Sequence, residues 1–335
     1  MSILMTGGGT GGHLAIIKAV KEHLKDEEII YAGSTKGQDK QWFENDNDFK
    51  ETYFFDTRGV VNQSIFGKIK SLFMMGTAMI KAIRLIRKHK AKVVFSVGGF
   101  SAAPMAFAAK LTRTPLVIHE QNAALGLLNK FLKPYVTHFI SSYLEESPIK
   151  AYPINKTFFD NARIRKEVKT IIFLGGSQGA KAINTLALEL APTLKEKNIR
   201  IIHQAGEKNT EEVKKYYDDL GIDAEVFGFS TKLVDYMNEA DFAIARAGAS
   251  TLWELSAIAL PTLYIPYPYA ASDHQYYNAQ FLVEQNLAWL MRENEVDKDK
   301  VLGLFHENLE QISQGLINIV EKGGSNKIAT LLKKI

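Results

Sequence analysis

Gly7-Gly8-Gly9-Thr10-Gly11-Gly12-His13 and Gly175-Gly176-Ser177-Gln178-Gly179 follow short apolar runs, at 3–5 and 171–174, and each opens a helical pattern. Glycine lets the backbone come close to a ligand. The helix behind such a turn aims unpaired N–H groups and a partial positive charge at whatever sits there. One such turn in each half predicts two Rossmann-like α/β domains with parallel sheets. The domains are expected to face each other across a cleft that holds a phosphate-bearing ligand.

Outward from these turns, apolar runs alternate with helical patterns. Strands are expected at 3–5, 29–31, 53–55, 93–97, 116–118 and 137–141, then at 171–174, 200–203, 224–227, 242–245, 262–265 and 288–291. Such alternation predicts parallel sheets covered by helices on both faces. The expected divisions are a first domain (1–155), a second domain (156–320) and a last helix (321–335) packing back toward the first domain. The boundary falls near Pro148 and Pro153.

The chain has 335 residues, 46% hydrophobic and 23% charged, as in an ordinary globular protein of two domains. It has no cysteine, which excludes a disulfide framework and thiolate metal sites. The start lacks a signal-peptide pattern, and no apolar run approaches the roughly 18 residues of a spanning helix. The net charge is +4, but no acidic residue lies between Asp56 and Glu120. That stretch carries Arg58, Lys68, Lys70, Lys81, Arg84, Arg87, Lys88, Lys90, Lys92, Lys110 and Arg113. A region of one sign this long implies an anionic partner.

The first turn fits Gly-x-Gly-x-x-Gly formally, yet the second strand ends Tyr31-Ala32-Gly33-Ser34 with no acid for a dinucleotide ribose. His13, at a helix start, is a candidate general base, or else a capping or packing residue. Val97-Gly98-Gly99-Phe100-Ser101 is a further strand-to-helix turn. His119-Glu120-Gln121-Asn122 places four polar side chains at a strand's C-terminal end, where open α/β sheets bind ligands. In the second half, Arg246-Ala247-Gly248-Ala249-Ser250-Thr251 reads as a turn whose amides reach a diphosphate, with Arg246 as a nearby cation. Glu254, one turn on, either accepts ribose hydroxyls or is a surface glutamate. His274 and Gln275, in Asp273-His274-Gln275-Tyr276-Tyr277-Asn278, either cap a helix or face the ligand.

Taken together, GGGTGGH (7–13), GGF (98–100), HEQN (119–122), GGSQGA (175–180), RAGASTLWE (246–254) and DHQYYNAQ (273–280) occur in one order across residues 3–282. This set resembles the MurG family, the bacterial peptidoglycan N-acetylglucosaminyltransferases of GT-B fold. The resemblance implies UDP-GlcNAc as donor and lipid I, undecaprenyl-pyrophosphoryl-MurNAc-pentapeptide, as acceptor. The product is lipid II, made by one inverting displacement. It implies donor-sugar contacts at Thr10, Gly11, Gly12, Asn122 and Gln275, and diphosphate contacts at Ser177 and at Ala249, Ser250 and Thr251. It places Glu254 on the ribose, the Ser230 backbone on the uracil and Arg246 near the diphosphate. Asn155 stands where the family often has an arginine, with Lys156 adjacent.

On this reading the acceptor's C4 hydroxyl loses its proton to His13, with Glu120 as the rival base. Helix amides at both glycine turns, aided by Arg246, stabilise the departing UDP. No cofactor, no essential metal and no nucleic-acid partner is expected. Between 65 and 90 a core stripe is expected at Ile65, Ile69, Leu72, Met79, Ile83 and Ile86. Phe66, Lys70, Phe73 and Met74 beside it either meet the cytoplasmic face of the bacterial inner membrane or widen the core face. The rival readings are another GT-B enzyme with a diacylglycerol acceptor, a UDP-sugar epimerase, an NAD oxidoreductase and a basic binding module. The last lacks the interleaved exposed aromatics of single-strand readers.

Overall fold

The computed structural model describes residues 1–57, 65–176 and 178–335, and for 65–73 the backbone alone. Ser177, Arg58 and the side chains of Ile65, Phe66, Lys68, Ile69, Lys70, Leu72 and Phe73 therefore lie outside the described residues. The chain divides into two compact units, Met1–Ile154 with Gly323–Ile335, and Asn155–Lys322.

Unit 1 holds β1 (Ser2–Thr6), β2 (Glu28–Ser34), β3 (Glu51–Phe55), β4 (Ala91–Ser96), β5 (Leu116–Glu120) and β6 (His138–Ser141). Unit 2 holds β7 (Thr170–Leu174), β8 (Arg200–Gln204), β9 (Ala224–Phe227), β10 (Phe242–Ala245), β11 (Thr262–Tyr264) and β12 (Trp289–Leu290). The sheet orders are β3-β2-β1-β4-β5-β6 and β12-β11-β10-β7-β8-β9, so both run in the same Rossmann-like sequence. Every pairing is parallel, for example Ile3 opposite Ile29 and Phe242 opposite Ile171. The chain reverses direction of travel across each sheet between β1 and β4, and between β7 and β10. The glycine turns follow β1 and β7, so each sits at its sheet's switch point.

The central strands are apolar on both faces because helices cover both. In unit 1, Leu4, Ile30, Val94 and Ile118 pack against helices 65–88 and 103–112. In unit 2, helix Lys181–Glu196 lays Ile183, Leu186, Ala187, Leu190 and Leu194 on Ile171, Phe173, Ile201 and Ile244. These positions recur every three or four residues, one face of an α-helix.

Helix Ile65–Lys88 differs from the expected stripe. Its innermost described residues are Ala78, Ala82, Leu85 and Ile86, while Met79 and Ile83 are only partly buried. Ala106 and Ala109 of the neighbouring helix belong to the same cluster, and small side chains there permit close helix approach. A stripe counted from large residues alone is displaced by one position. Helix Gly324–Lys334 belongs to unit 1. Its Ile328, Ala329 and Leu332 are buried, and Ser325 Oγ donates to the Ile154 carbonyl. Among the described residues no helix is long and apolar enough to cross a membrane.

Candidate active site

The first glycine turn is pressed between two loops of its own unit. Gly7 (φ 113°) and Gly9 (φ 87°) adopt a left-handed backbone that favours glycine. A Cβ on Gly7 would lie 2.6 Å from the Gly98 carbonyl oxygen, and one on Gly8 would lie 2.5 Å from Asp39 Oδ1. The Gly8 N–H donates to Gly98 O at 3.3 Å, and the Gly9 N–H donates to Asp39 Oδ2 at 2.5 Å. Both amides are thus consumed inside the unit.

Helix Gly11–Lys21 starts immediately after Thr10 and carries His13 half-buried on its first turn. The Gln121 amide nitrogen, which only donates, lies 3.0 Å from His13 Nε2. His13 Nδ1 lies 2.9 Å from Thr10 Oγ1. The same Gln121 nitrogen lies 3.3 Å from Nδ1, and the shorter contacts are compatible with the tautomer that keeps the lone pair on Nε2. Thr10, His13 and Gln121 therefore form one chain of polar contacts, bringing the first turn together with HEQN.

The other members of HEQN are occupied differently. Glu120 is buried, and both of its oxygens are engaged. Oε1 accepts from Asn122 N (3.0 Å) and Nδ2 (3.4 Å), and Oε2 accepts from Gly126 N and Asn129 Nδ2, each at 2.9 Å. With its oxygens engaged in this way, Glu120 is the less available of the two candidate bases in the ligand-free protein. Its carboxylate ties the loop after β5 together, and Asn122 spends two donors on it. His119 is fully buried, edge-on to the Tyr152 ring at 5.5 Å, with no partner on either nitrogen. Burial, with nearby His13 adding to it, pulls its pKa down to about 3.

The second turn presents a different surface. Gly175 N donates to Gln204 O at 3.2 Å and Gly179 N to Gly176 O at 2.9 Å. Gly176 (φ 79°) has open space where a Cβ would point. Beside it, helix Ala249–Ala257 begins without a side-chain cap, so Ala249, Ser250 and Thr251 stand on its first turn. Asn278, fully buried, donates to Ala247 O at 3.2 Å and fixes the turn before that helix.

Arg246 donates to the carbonyls of Ile265 (3.0 Å) and Pro266 (2.9 Å) and pairs with Glu293 at 2.5 Å. Its charge is largely compensated, which lowers what it lends to a diphosphate. Glu254 is half-buried, and loss of hydration pushes its carboxyl up to about 7.

Gln275 accepts from the Tyr267 N–H at 2.9 Å, and His274 Nδ1 donates to Ala271 O at 2.8 Å. Both brace a loop in which Ser272 (φ 55°) and Asp273 (φ 51°) are left-handed, a strained arrangement for non-glycine residues. Asp273 is anchored by Arg292 at 2.7 Å. Ser230 Oγ accepts from Lys232 N at 3.0 Å. Asn155 caps helix Lys156–Asp160, accepting from Thr157 N at 2.9 Å, while Lys156 pairs with Asp160. Met74 is partly buried.

Asp39 and Glu293 were not picked out by sequence reasoning, and Asn278 was named only as the end of the polar cluster 273–278. The signal for Asp39 was present, an acid in the turn after β2, but its target lies thirty residues back.

Two sheets of one strand order, with a glycine turn at each switch point, fit the GT-B fold, and the family matches give the class, glycosyltransferases. Residues 3–141 match the N-terminal domain of glycosyltransferase family 28, and residues 170–319 match its C-terminal domain. A Sulfurovum protein described as UDP-N-acetylglucosamine--N-acetylmuramyl-(pentapeptide) pyrophosphoryl-undecaprenol N-acetylglucosamine transferase is 76% identical, covering 99% of this chain and 98% of its own. A Campylobacter jejuni protein of the same description is 52% identical, covering 98% and 96%. The crystal structure of Acinetobacter baumannii MurG matches with a TM-score of 0.81 and 26% identity, covering 100% of this chain and 99% of that one. The chain belongs to this family, the MurG transferases.

Proposed function

We propose that this chain transfers N-acetylglucosamine from UDP-GlcNAc to the C4 hydroxyl of undecaprenyl-pyrophosphoryl-MurNAc-pentapeptide, converting lipid I to lipid II. The observation that carries the reading is its near-full-length likeness to transferases described by that reaction.

The chemistry follows from the residues. The acceptor hydroxyl is a poor nucleophile. As its oxygen attacks the anomeric carbon, its proton passes to His13 Nε2, whose lone pair the Gln121 amide holds in the free protein. The substrate hydroxyl takes over that place, and Thr10 keeps the ring oriented through Nδ1. The bond from the anomeric carbon to the β-phosphate oxygen breaks, and configuration inverts. Charge growing on the β-phosphate meets the amides at the start of helix Ala249–Ala257 and at Gly176. Glu254 accepts the ribose hydroxyls. Thr10, Gly11, Gly12, Asn122 and Gln275 face the donor sugar, and the Ser230 backbone faces the uracil.

The protein works as a peripheral protein on the cytoplasmic face of the membrane. Support comes from exposed Leu111, Phe131 and Tyr135, with Lys110 over the two rings. Lys110 Nζ lies 3.2 Å from the Tyr135 ring centre and 5.6 Å from that of Phe131. Apolar rings flanked by lysines favour an anionic headgroup layer. Phe66, Lys70, Phe73 and Met74 are proposed as further membrane contacts on the sequence alone.

The test is incubation with UDP-GlcNAc and a short-chain lipid I analogue, followed by mass analysis. One added N-acetylhexosamine on the analogue is expected. Transfer to diacylglycerol instead, or conversion of donor without acceptor, would refute the reading.

A further inference from the structure

We infer that Asp39 is a positioning residue that fixes the first glycine turn and, by its charge, reserves that turn for an uncharged part of the substrate rather than for a phosphate. The inference deepens the proposed transfer and rests on it for the identity of the substrate.

Asp39 begins the short helix Asp39–Phe43 and is fully buried. Its carboxylate accepts from Gly9 N (2.5 Å), Ser34 N (3.0 Å) and Tyr31 OH (3.1 Å). The Tyr31 hydroxyl also lies 3.0 Å from Gly7 O. One buried group thus links the turn after β1 to the end of β2. Two glycines owe their identity to it. A Cβ on Gly8 would fall 2.5 Å from Asp39 Oδ1, and one on Gly33 would fall 2.7 Å from the same atom. Gly8 is therefore bare because its own chain's carboxylate lies against it.

This changes what the turn can hold. A glycine turn before a helix attracts anions through free amides and about half a unit of positive charge. Here the Gly8 and Gly9 amides are consumed, and a full negative charge lies one hydrogen bond away. The unit charge outweighs the helix end, so a phosphate is repelled while hydroxyl and acetamido groups are not. The second turn is the contrast. Among the described residues no carboxylate bonds Gly175–Gly179, and Gly176 faces open space. Two turns that read alike in sequence therefore carry opposite electrostatics. The pyrophosphate belongs to the second, and neutral sugar atoms to the first.

The test compares wild type, Asp39→Asn and Tyr31→Phe as full chains, by hydrogen exchange with and without inorganic pyrophosphate, and by steady-state kinetics. In wild type, pyrophosphate is expected to protect residues 175–180 and not 6–13. In D39N, exchange over 6–13 rises about tenfold or more without ligand, and pyrophosphate now protects that segment as well. Y31F keeps the charge, so its turn loosens but gains no pyrophosphate protection. D39N is expected to lose about tenfold or more in kcat with KM for UDP-GlcNAc changed less than about threefold. A merely structural residue would lower the melting temperature without redirecting pyrophosphate. Protection of 6–13 by pyrophosphate in wild type, or unchanged exchange there in D39N, would overturn the inference. If wild type transfers no sugar to lipid I, the proposed function fails while the exchange data still decide the role of Asp39.

Discussion

Replacing Glu254 by glutamine is expected to stabilise the ligand-free protein at pH 8 and to weaken its grip on UDP. The carboxyl is buried in helix Ala249–Ala257, and its pKa rises from 4.5 to about 7. In the unfolded chain it titrates near 4.5, so between 4.5 and 7 the folded state binds the extra proton. Stability is therefore greatest below 4.5, falls as pH rises through this window and levels off above it. Each pH unit of that window corresponds to about 1.4 kcal/mol, so the ionised carboxylate costs at most about 3.5 kcal/mol, less with partial hydration. Glutamine has nearly the same shape and no charge. Thermal unfolding should show Glu254→Gln melting roughly 5–10 °C above wild type at pH 8 and within a few degrees of it at pH 4.5. UDP should reverse the order. Ribose hydroxyls donate to the ionised form, so wild-type affinity should strengthen as pH climbs through 7, while the variant binds more weakly and without that dependence. A variant no more stable than wild type at pH 8 would refute the reasoning.

Three further outcomes are expected. His13→Ala should leave UDP affinity nearly intact in a titration and cut turnover by about 10²-fold or more; intact turnover would remove His13 from the base role. Glu120→Gln turns an amide N–H₂ toward Gly126 N and Asn129 Nδ2, or toward Asn122, and should cost about 2–4 kcal/mol with faster hydrogen exchange across 121–129. A stable variant with an undisturbed loop but no turnover would restore Glu120 as the base. His119→Phe should cost less than about 2 kcal/mol at pH 8, because neither nitrogen has a partner to lose. With a folded pKa near 3 against 6.5 unfolded, wild-type stability falls as pH drops from 6.5 toward 3. The variant's acid-unfolding midpoint, followed by circular dichroism, should move to lower pH; an unmoved midpoint contradicts the assignment.

The sheets were legible because buried parallel strands are runs of apolar residues, and each run that precedes a glycine turn announces a switch point. Their ends were less legible. β2 runs on to Ser34 because Gly33 and Ser34 pair with Phe54 and Phe55, a register that apolarity does not mark. β12 shrinks to Trp289–Leu290 at the sheet's edge, where only one neighbour holds it. In the site, the motifs marked which turns gather at the strand ends. They did not mark what each side chain would bond. Arg246 reads as a free cation until Glu293, forty-seven residues on, is placed beside it. Glu120 reads as a rival base to His13, and the sequence does not show the four donors on its carboxylate or the single amide on His13 Nε2. Alanine at 78 and 82 carried too little hydrophobic signal to announce the inner face of helix Ile65–Lys88.

Unit 1 is closed by the last thirteen residues of the chain, Gly323–Ile335, with unit 2 inserted before them. In order of synthesis, unit 2 is therefore complete before the helix that finishes unit 1 is made. Domains generally fold as they emerge, yet here the earliest-made half is the last to be completed. Until that helix is in place, the apolar side that Ile328, Ala329 and Leu332 cover stays bare, and a chain truncated before residue 323 leaves it so permanently.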